Sequence, residues 1–279
     1  MGQAERSDDP SCFDRFAAWR GSSSLSSSNH PLPAPLQEIK SIVTDTPGVC
    51  VISGGSSGVG LATAIRFANQ GGRVVVCGRD DNRLQAAAQQ IAAGSSEDHV
   101  LTVVADLSSS AEADRFVQSA MDRFSRVDVL VNNAAMAPLA PIDEMTDDTI
   151  DACIDLNIRG VYYATRAAWR VMKEQGSGIV VNVSSQAAVD PFPGFSLYGS
   201  TKAWIELFTV ALANEGRDFG IRSYGVRPGA IETPMLRGLF ADFPAEQCVS
   251  PDDVAAAIET VCGPGLLYSS GQIIKVSRQ

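Results

Sequence analysis

From residue 48 to the end of the chain, short β-branched apolar segments alternate with longer segments of helical periodicity. The apolar segments predict strands at 49–53, 73–77, 100–105, 127–131, 179–183, 221–226 and 272–276. The segments between them predict helices at 58–69, 80–93, 110–124, 146–174, 198–219 and 250–261. Because strands that alternate with helices pair in parallel, the pattern predicts one α/β domain with a doubly wound, seven-stranded parallel sheet and helices on both faces. A ligand of such a sheet is expected beyond the carboxyl ends of the strands.

Residues 1–46 do not follow this pattern. The stretch 21–29 is rich in serine, and prolines follow at 31, 33 and 35. Such a segment buries too little apolar surface to offset the entropy lost on ordering, so it predicts a mobile extension before a domain at 47–279. A misassigned start and a docking arm are the alternatives, since residues 13–19 could form a short amphipathic helix.

Composition narrows the classes of partner. The chain has 279 residues and a formal net charge of −10, which argues against nucleic acid because phosphate backbones are held by Lys and Arg. Six cysteines without a CxxC pair and only two histidines predict no metal site and a reducing setting. The chain has no apolar run of about 20 residues, the length that a membrane span requires. A soluble cytoplasmic protein is therefore expected, with no nucleic acid or membrane partner.

A glycine-rich segment joins the first strand to the first helix. Its spacing is G-x-x-x-G-x-G, at Gly54, Gly58 and Gly60. Glycines here let the backbone approach a pyrophosphate, and the helix N-terminus supplies amide donors. The segment is therefore a candidate dinucleotide site, although a tight strand–helix turn is the alternative. The predicted cofactor contacts are Gly54, Ser56, Ser57, Gly58, Val59 and Gly60.

This spacing resembles the cofactor loop of classical short-chain dehydrogenases/reductases, and further matches follow along the chain. Asp106-Leu107 comes after the third strand, Asn132 to Ala135 resembles the family's N-N-A-G, and 227–233 resembles its P-G-x-x-x-T segment. Ala135 replaces the final glycine of N-N-A-G. The resemblance covers nearly everything after residue 47 and implies a Rossmann-type fold. It also implies cofactor contacts at Asp106, Leu107, Asn133, Ala134, Pro228, Gly229, Ile231 and Thr233.

The end of the second strand predicts the choice of cofactor. An acidic side chain there would bind both ribose hydroxyls and repel a 2′-phosphate, but the chain has Gly78 followed by Arg79. Arg79 is suited to pair with a phosphate. NADP(H) is therefore favoured, with NAD(H) as the alternative because Asp80 is adjacent.

Tyr198 and Lys202 are four residues apart and share one face of a predicted helix. A neighbouring ammonium group favours the phenolate, so Lys202 is expected to lower the pKa of Tyr198. The family resemblance implies that Ser185 polarises the substrate oxygen, Tyr198 transfers the proton, and Lys202 also holds the nicotinamide ribose. It further implies that Asn157 holds a water that connects Lys202 to solvent; a buried asparagine at a helix kink is the alternative. Ser184 fits the spacing less well than Ser185.

Together these features predict an NADP(H)-dependent oxidoreductase that interconverts a small-molecule carbonyl and an alcohol. The resemblance is strongest to 3-oxoacyl-[acyl-carrier-protein] reductases. Basic residues that would bind an acidic carrier are sparse, so this function is kept as an alternative and is not favoured. A non-catalytic dinucleotide sensor or scaffold is the alternative of another class. Residues 186–195 and 235–248 are expected to line the substrate site, with Leu236, Leu239, Phe240 and Phe243 either facing it or packing inward. The family implies a homodimer or homotetramer through the two long helices.

Overall fold

A computed structural model describes residues 48–278, which form a seven-stranded sheet in the order β3-β2-β1-β4-β5-β6-β7. Every pairing in the sheet is parallel, so the predicted doubly wound parallel sheet is confirmed. The strands are β1 (Val49–Ser53), β2 (Arg73–Gly78), β3 (Val100–Val104), β4 (Val129–Asn132), β5 (Gly178–Val183), β6 (Ile221–Pro228) and β7 (Ile273–Val276). The helices are α1 (Gly58–Asn69), α2 (Asp81–Ala92), α3 (Ser110–Phe124), α4 (Asp147–Ile154), α5 (Val161–Gln175), α6 (Ser196–Gly216), α7 (Pro234–Leu239) and α8 (Pro251–Cys262).

Apolar side chains cover both faces of the sheet. Along β1, Val49 and Val51 belong to one buried cluster while Cys50 and Ile52 belong to the other, as the two-residue period of a strand requires. Helices α3, α5 and α6 contribute to the first cluster, and α1, α2 and α8 contribute to the second. Strands buried on both sides read as continuous apolar runs, which explains why the sequence pattern located them so closely.

The start of β4 differs from its prediction. The strand was expected to begin at residue 127, but the Val127 amide donates to Gln175 Oε1 (2.9 Å) and its carbonyl accepts from Gln175 Nε2 (2.8 Å). The side chain of Gln175 thus replaces the neighbouring strand there, and β4 begins at Val129.

The long helix predicted at 146–174 is interrupted. Residues Asp155–Gly160 form a π-helical segment between α4 and α5. Such segments are often found at functional sites, and this one contains Asn157.

The strand order reverses between β1 and β4, where the chain returns to the middle of the sheet. A crevice opens at this point beyond the carboxyl ends of the strands. Among residues 48–278, no helix combines the length and apolar character needed to cross a membrane. The extension predicted at 1–46 and the short helix at 13–19 lie outside the described residues.

Candidate active site

A cleft of about 770 Å³ lies at the carboxyl edge of the sheet. It brings together most of the residues that the sequence singles out, from the glycine segment to α7. Those that line it are Gly54, Ser56, Ser57, Gly58, Val59, Arg79, Asp106, Leu107, Asn133, Ala134, Ser185, Tyr198, Lys202, Pro228, Gly229, Ile231 and Thr233. Gly60 and Asn157 do not line it.

The glycine segment is shaped by backbone conformations that favour glycine. Gly54 and Gly58 have φ values of +67° and +54°. Gly60 serves close packing instead of lining the cleft, because a Cβ at this position would lie 2.3 Å from the Gly54 carbonyl oxygen. Across the cleft, Thr233 Cγ2 lies 3.2 Å from the position of a Cβ on Gly58, so the two sides approach each other closely here.

The N-terminus of α1 has the properties of an anion site. Its N-cap residue, Ser57, makes no side-chain capping hydrogen bond, and the first turn contains no acidic residue. The first amides of a helix have no partner within the helix, and the helix dipole is positive at this end. With the glycine backbone beside them, these residues fit the pyrophosphate of a dinucleotide.

Two arginines flank the far end of the cleft, at the end of β2. Arg79 lies there as predicted, and Arg83 lines the cleft beside it, with Nη2 donating to Ser57 Oγ at 3.0 Å. Arg83 was not predicted from the sequence, although Arg83 is four residues after Arg79 and in the first turn of α2. Asp80 also lines the cleft and is the N-cap of α2, accepting from the Arg83 amide at 3.1 Å.

Lys202 is placed inside the protein, at 3% exposure, with its Nζ donating to the Val183 carbonyl oxygen at 2.8 Å. The Nζ atom lies 5.7 Å from the centroid of the Tyr198 ring, so the expected Tyr–Lys pair forms on one face of α6. Burial disfavours the charged ammonium and lowers the pKa of Lys202 to about 8.

The pKa of Tyr198 is shifted in the direction opposite to the one expected from its lysine neighbour. Burial raises its pKa above the ordinary value, while the nearby Ser185 hydroxyl acts to lower it. The prediction of a lowered pKa was therefore wrong, because loss of solvation outweighs the favourable neighbours. The phenol is protonated at neutral pH, as a tyrosine with the ordinary pKa is.

The hydroxyls of the two adjacent serines are used differently. Ser184 Oγ donates to Glu206 Oε1 at 2.7 Å, and the same carboxylate pairs with Arg227. Ser185 Oγ accepts from the Ala187 amide at 3.2 Å, and its hydroxyl is directed toward Tyr198 in the cleft. This difference agrees with the preference for Ser185 over Ser184 as the candidate.

Asn157 lies behind the cleft wall and is fully buried. Its Oδ1 accepts from the Met136 amide and its Nδ2 donates to the Met136 carbonyl, both at 2.9 Å. Nδ2 also approaches Thr201 Oγ1 at 3.1 Å. The side chain therefore ties the segment after β4 to the helix that carries Tyr198 and Lys202.

The far wall of the cleft comes from residues after β6. Leu236, Leu239, Phe240 and Phe243 all line it, and Phe240 also packs against the buried Phe195 ring at 6.0 Å. Ser277 and Arg278 also line the cleft, which the sequence pattern gave no reason to expect.

Comparison with known proteins identifies the family. The model of the short chain dehydrogenase family matches residues 48–243. A 3-oxoacyl-[acyl-carrier-protein] reductase of Synechocystis sp. is 33% identical over 238 residues, covering 83% of this chain and 96% of the relative. The crystal structure of a 3-ketoacyl-(acyl-carrier-protein) reductase from Brucella melitensis, complexed with NADH, has a TM-score of 0.77 and 32% identity, covering 84% of this chain and 98% of that one. The crystal structure of a levodione reductase has a TM-score of 0.78 and 28% identity, covering 83% and 96%.

The chain therefore belongs to the short-chain dehydrogenase/reductase family. It is an oxidoreductase that acts on alcohol or ketone substrates, and its family uses NAD(P)(H).

The buried ammonium leads to a prediction about stability. The pKa of Lys202 is about 8 in the folded chain against 10.5 for the free group, so between these values the unfolded chain binds more protons. The cost of the buried charge is thus fully present below about pH 8 and fades as the pH rises toward the unfolded value. Removing the buried charge also removes the hydrogen bond to the Val183 carbonyl. After allowance for that lost bond, the removal stabilises the fold by about 2 kcal/mol at neutral pH.

Lys202→Met is therefore expected to raise the free energy of unfolding in urea titrations of the cofactor-free protein at pH 7, and to gain much less at pH 10. Lys275→Met is the matched control, because Lys275 is exposed on β7 and its loss should leave stability nearly unchanged. A Lys202→Met protein that is no more stable than the parent at pH 7 would contradict the assignment.

Proposed function

We propose that this protein is an NADP(H)-dependent carbonyl reductase in which Ser185, Tyr198 and Lys202 are the catalytic residues. One observation carries the proposal: Tyr198 and Lys202 share one face of α6 beside Ser185, at the end of a cleft that fits a dinucleotide. In the reaction a ketone, NADPH and a proton give an alcohol and NADP⁺, and the reverse reaction is the oxidation.

The protein's own groups handle the oxygen and the proton. When bound, the dinucleotide supplies the hydride that the carbonyl carbon accepts. Ser185 donates its hydroxyl hydrogen to the carbonyl oxygen and stabilises the negative charge that develops there. Tyr198, a phenol that is protonated at neutral pH, gives its proton to that oxygen. Lys202 places a positive charge beside the phenol as the proton leaves.

Asn157 acts as a positioning residue in this scheme. Through Met136 and Thr201 it fixes the helix that presents Tyr198 and Lys202. We also propose, from the family resemblance, that a water molecule beside Asn157 returns a proton from solvent toward Lys202.

We assign a part of the cofactor to each group of lining residues. Amides of 56–59 would hold the pyrophosphate, and Asp106 and Leu107 would hold the adenine. Asn133, Ala134 and Lys202 would hold the nicotinamide ribose. Pro228, Gly229, Ile231 and Thr233 would hold the nicotinamide.

The preference for NADP(H) rests on Arg79 and Arg83. Both guanidinium groups lie at the end of β2, where a 2′-phosphate would be placed, and arginine suits phosphate recognition. Asp80, the residue that favoured NAD(H), caps α2 through its carboxylate.

The two shifted pKa values predict opposite pH profiles for the two directions. Reduction needs a protonated Tyr198 and a charged Lys202, so kcat/KM should be flat at neutral pH and fall as the pH rises through about 8. Oxidation needs the phenolate, so its kcat/KM should rise into the alkaline range. Initial rates in both directions across the neutral and alkaline range measure this. Reduction that accelerates above pH 8 would contradict the assigned protonation states.

Carrier-bound thioesters are the alternative substrate, since two relatives are named for them. The net charge of −10 is unfavourable for steering an acidic carrier. An acetoacetyl thioester therefore belongs in the substrate test.

We also propose a homo-oligomer formed through α5 and α6. These helices expose Tyr162 (48%), Leu207 (71%) and Val210 (41%), and Tyr162 stacks on Phe208 at 5.6 Å. Contiguous exposed apolar side chains of this kind mark protein interfaces. Leu207→Glu is expected to lower the mass measured by light scattering to that of the monomer, whereas a parent chain that is already monomeric would contradict this proposal.

The experiment that tests the function is oxidation of NADPH, with NADH in parallel, against ketones, aldehydes, diketones, keto-sugars and an acetoacetyl thioester. Turnover with NADPH is expected, and it should disappear in Tyr198→Phe. Tight NADPH binding with no turnover in either direction would overturn the proposal and favour a dinucleotide sensor.

A further inference from the structure

The end of the cleft beside Tyr198 is built from aromatic side chains. Phe192 and Phe195 precede the catalytic turn of α6, and Phe240 follows α7; all three line the cleft. The Phe195 ring lies 5.2 Å from Tyr198 and 6.0 Å from Phe240, and the Phe240 ring lies 6.4 Å from Phe192. Phe243 extends the series at 6.5 Å from Phe240. These rings form one surface, here called the aromatic wall, that begins at the proposed proton donor.

The aromatic wall runs from the interior to the mouth of the cleft. Phe195 is 6% exposed, whereas Phe192 is 59% exposed and Met235, which also lines the cleft, is 45% exposed. Gly194 lies between Phe192 and Phe195 in sequence, and the side chain of Leu139 packs against it. Apolar area left in water at a concave surface is a source of binding free energy for a ligand that covers it.

The rings are also arranged for contact with another ring. Phe240 meets Phe195 at 86° and Phe192 at 65°, which are edge-to-face geometries. Aromatic rings prefer edge-to-face or offset contacts, so a planar aromatic group placed beside Phe192 and Phe240 continues the pattern. A short aliphatic chain would leave most of this surface uncovered.

Charged groups of the described cleft lie mostly away from the aromatic wall. Arg79 and Arg83 are at the end of β2, and Lys202 is buried with its ammonium on the Val183 carbonyl. Arg278 donates to the Cys248 carbonyl at 3.1 Å and lowers the pKa of Asp253, so its charge is directed toward the start of α8.

Among the charged residues that line the cleft, the one nearest to Phe192 in sequence is negative. Asp190 lines the cleft two residues before Phe192 and is exposed. Because like charges repel, a carboxylate at this end of a substrate is unfavourable.

We infer that the substrate class is an uncharged ketone whose carbonyl is attached to, or near, an aromatic ring. The carbonyl lies at Tyr198 and the ring lies on the surface of the wall, against Phe192 and Phe240. The inference rests on the proposed carbonyl reduction and adds the substrate class to it. Phe192 and Phe240 are then specificity-determining residues.

The test compares matched ketones with NADPH as the reductant. Acetophenone is expected to exceed 2-butanone in kcat/KM by about 100-fold, with cyclohexyl methyl ketone between them. 4-Methylacetophenone should exceed 4-acetylbenzoate, which has a similar shape but is anionic, by about tenfold or more.

Two variants assign the preference to the wall. Phe192→Ala removes an exposed ring, so the fold is preserved, and kcat/KM for acetophenone should fall about tenfold while that for 2-butanone stays within about twofold. Phe240→Ala should act in the same direction. Tyr268→Ala is the control, since Tyr268 is 87% exposed and does not line the cleft.

The outcomes separate this inference from the proposed function. If 2-butanone is reduced as efficiently as acetophenone, or 4-acetylbenzoate as efficiently as 4-methylacetophenone, the substrate class is wrong and carbonyl reduction stands. If no ketone and no thioester is reduced, carbonyl reduction is wrong. In that case binding of acetophenone to the NADPH-loaded Tyr198→Phe protein decides the inference: tenfold weaker binding after Phe192→Ala supports the aromatic site, and equal binding overturns it.

Discussion

Replacement of Tyr198 by phenylalanine is expected to lower kcat for ketone reduction by about 10³-fold, the size of effect associated with loss of a positioned general acid. The substitution keeps the ring that packs 5.2 Å from Phe195 and removes only the hydroxyl. NADPH binding, measured by fluorescence titration, should therefore change less than about threefold, because a single neutral hydrogen bond contributes little net free energy.

Tyr268→Phe provides the matched control for this result. It makes the same chemical change at a tyrosine that is 87% exposed and outside the cleft lining, and it should leave kcat unchanged. A Tyr198→Phe enzyme that keeps more than a tenth of the parent kcat would mean that another group supplies the proton.

The second large effect concerns the choice of cofactor. Gly78→Asp is expected to weaken NADPH binding by about 100-fold, because it places a carboxylate where the 2′-phosphate would lie. The same carboxylate can accept hydrogen bonds from both ribose hydroxyls, so NADH binding should improve. The side chain fits: a Cβ on Gly78 would have Ser56 Oγ at 3.4 Å and Leu84 Cδ2 at 3.6 Å as its nearest neighbours.

Gly78→Asn separates charge from size in this experiment, since it adds a side chain of the same shape without the negative charge. It should weaken NADPH binding much less than Gly78→Asp does. Arg79→Ala and Arg83→Ala should each weaken NADPH binding about tenfold and leave NADH within about threefold, in line with the loss of a charge-assisted hydrogen bond. A parent enzyme that binds NADH more tightly than NADPH would contradict the cofactor proposal.

The sheet could be predicted closely because its five inner strands are buried on both faces. Their β-branched runs leave few alternative boundaries, and the differences arise where a side chain replaces a strand neighbour, as Gln175 does at Val127. Helix α7 was missed even though Thr233 followed by Pro234 is an N-terminal signal. A helix of six residues offers too little periodicity to be detected.

Cleft residues that belong to sequence motifs could be predicted. Cleft residues that are brought there only by the tertiary fold could not. Arg83 reaches the cleft only because the first turn of α2 faces Ser57, and Arg278 only because the segment after β7 passes beside Cys248. The direction of the Tyr198 pKa shift depends on burial, which a four-residue spacing does not reveal. Gly60 has the motif's spacing but fills a packing role.

Hydride transfer to the substrate carbon can be followed directly with an isotopic label. NADPH that carries deuterium on the transferred position of nicotinamide C4 is incubated with acetophenone, or with the best ketone of the panel, and the product alcohol is analysed by mass spectrometry. With the parent enzyme, the product alcohol is expected to carry one deuterium on the carbinol carbon. With Tyr198→Phe, almost no labelled alcohol is expected in the same time. An alcohol without deuterium, or equal labelling by both proteins, would contradict direct hydride transfer at a Tyr198-dependent site.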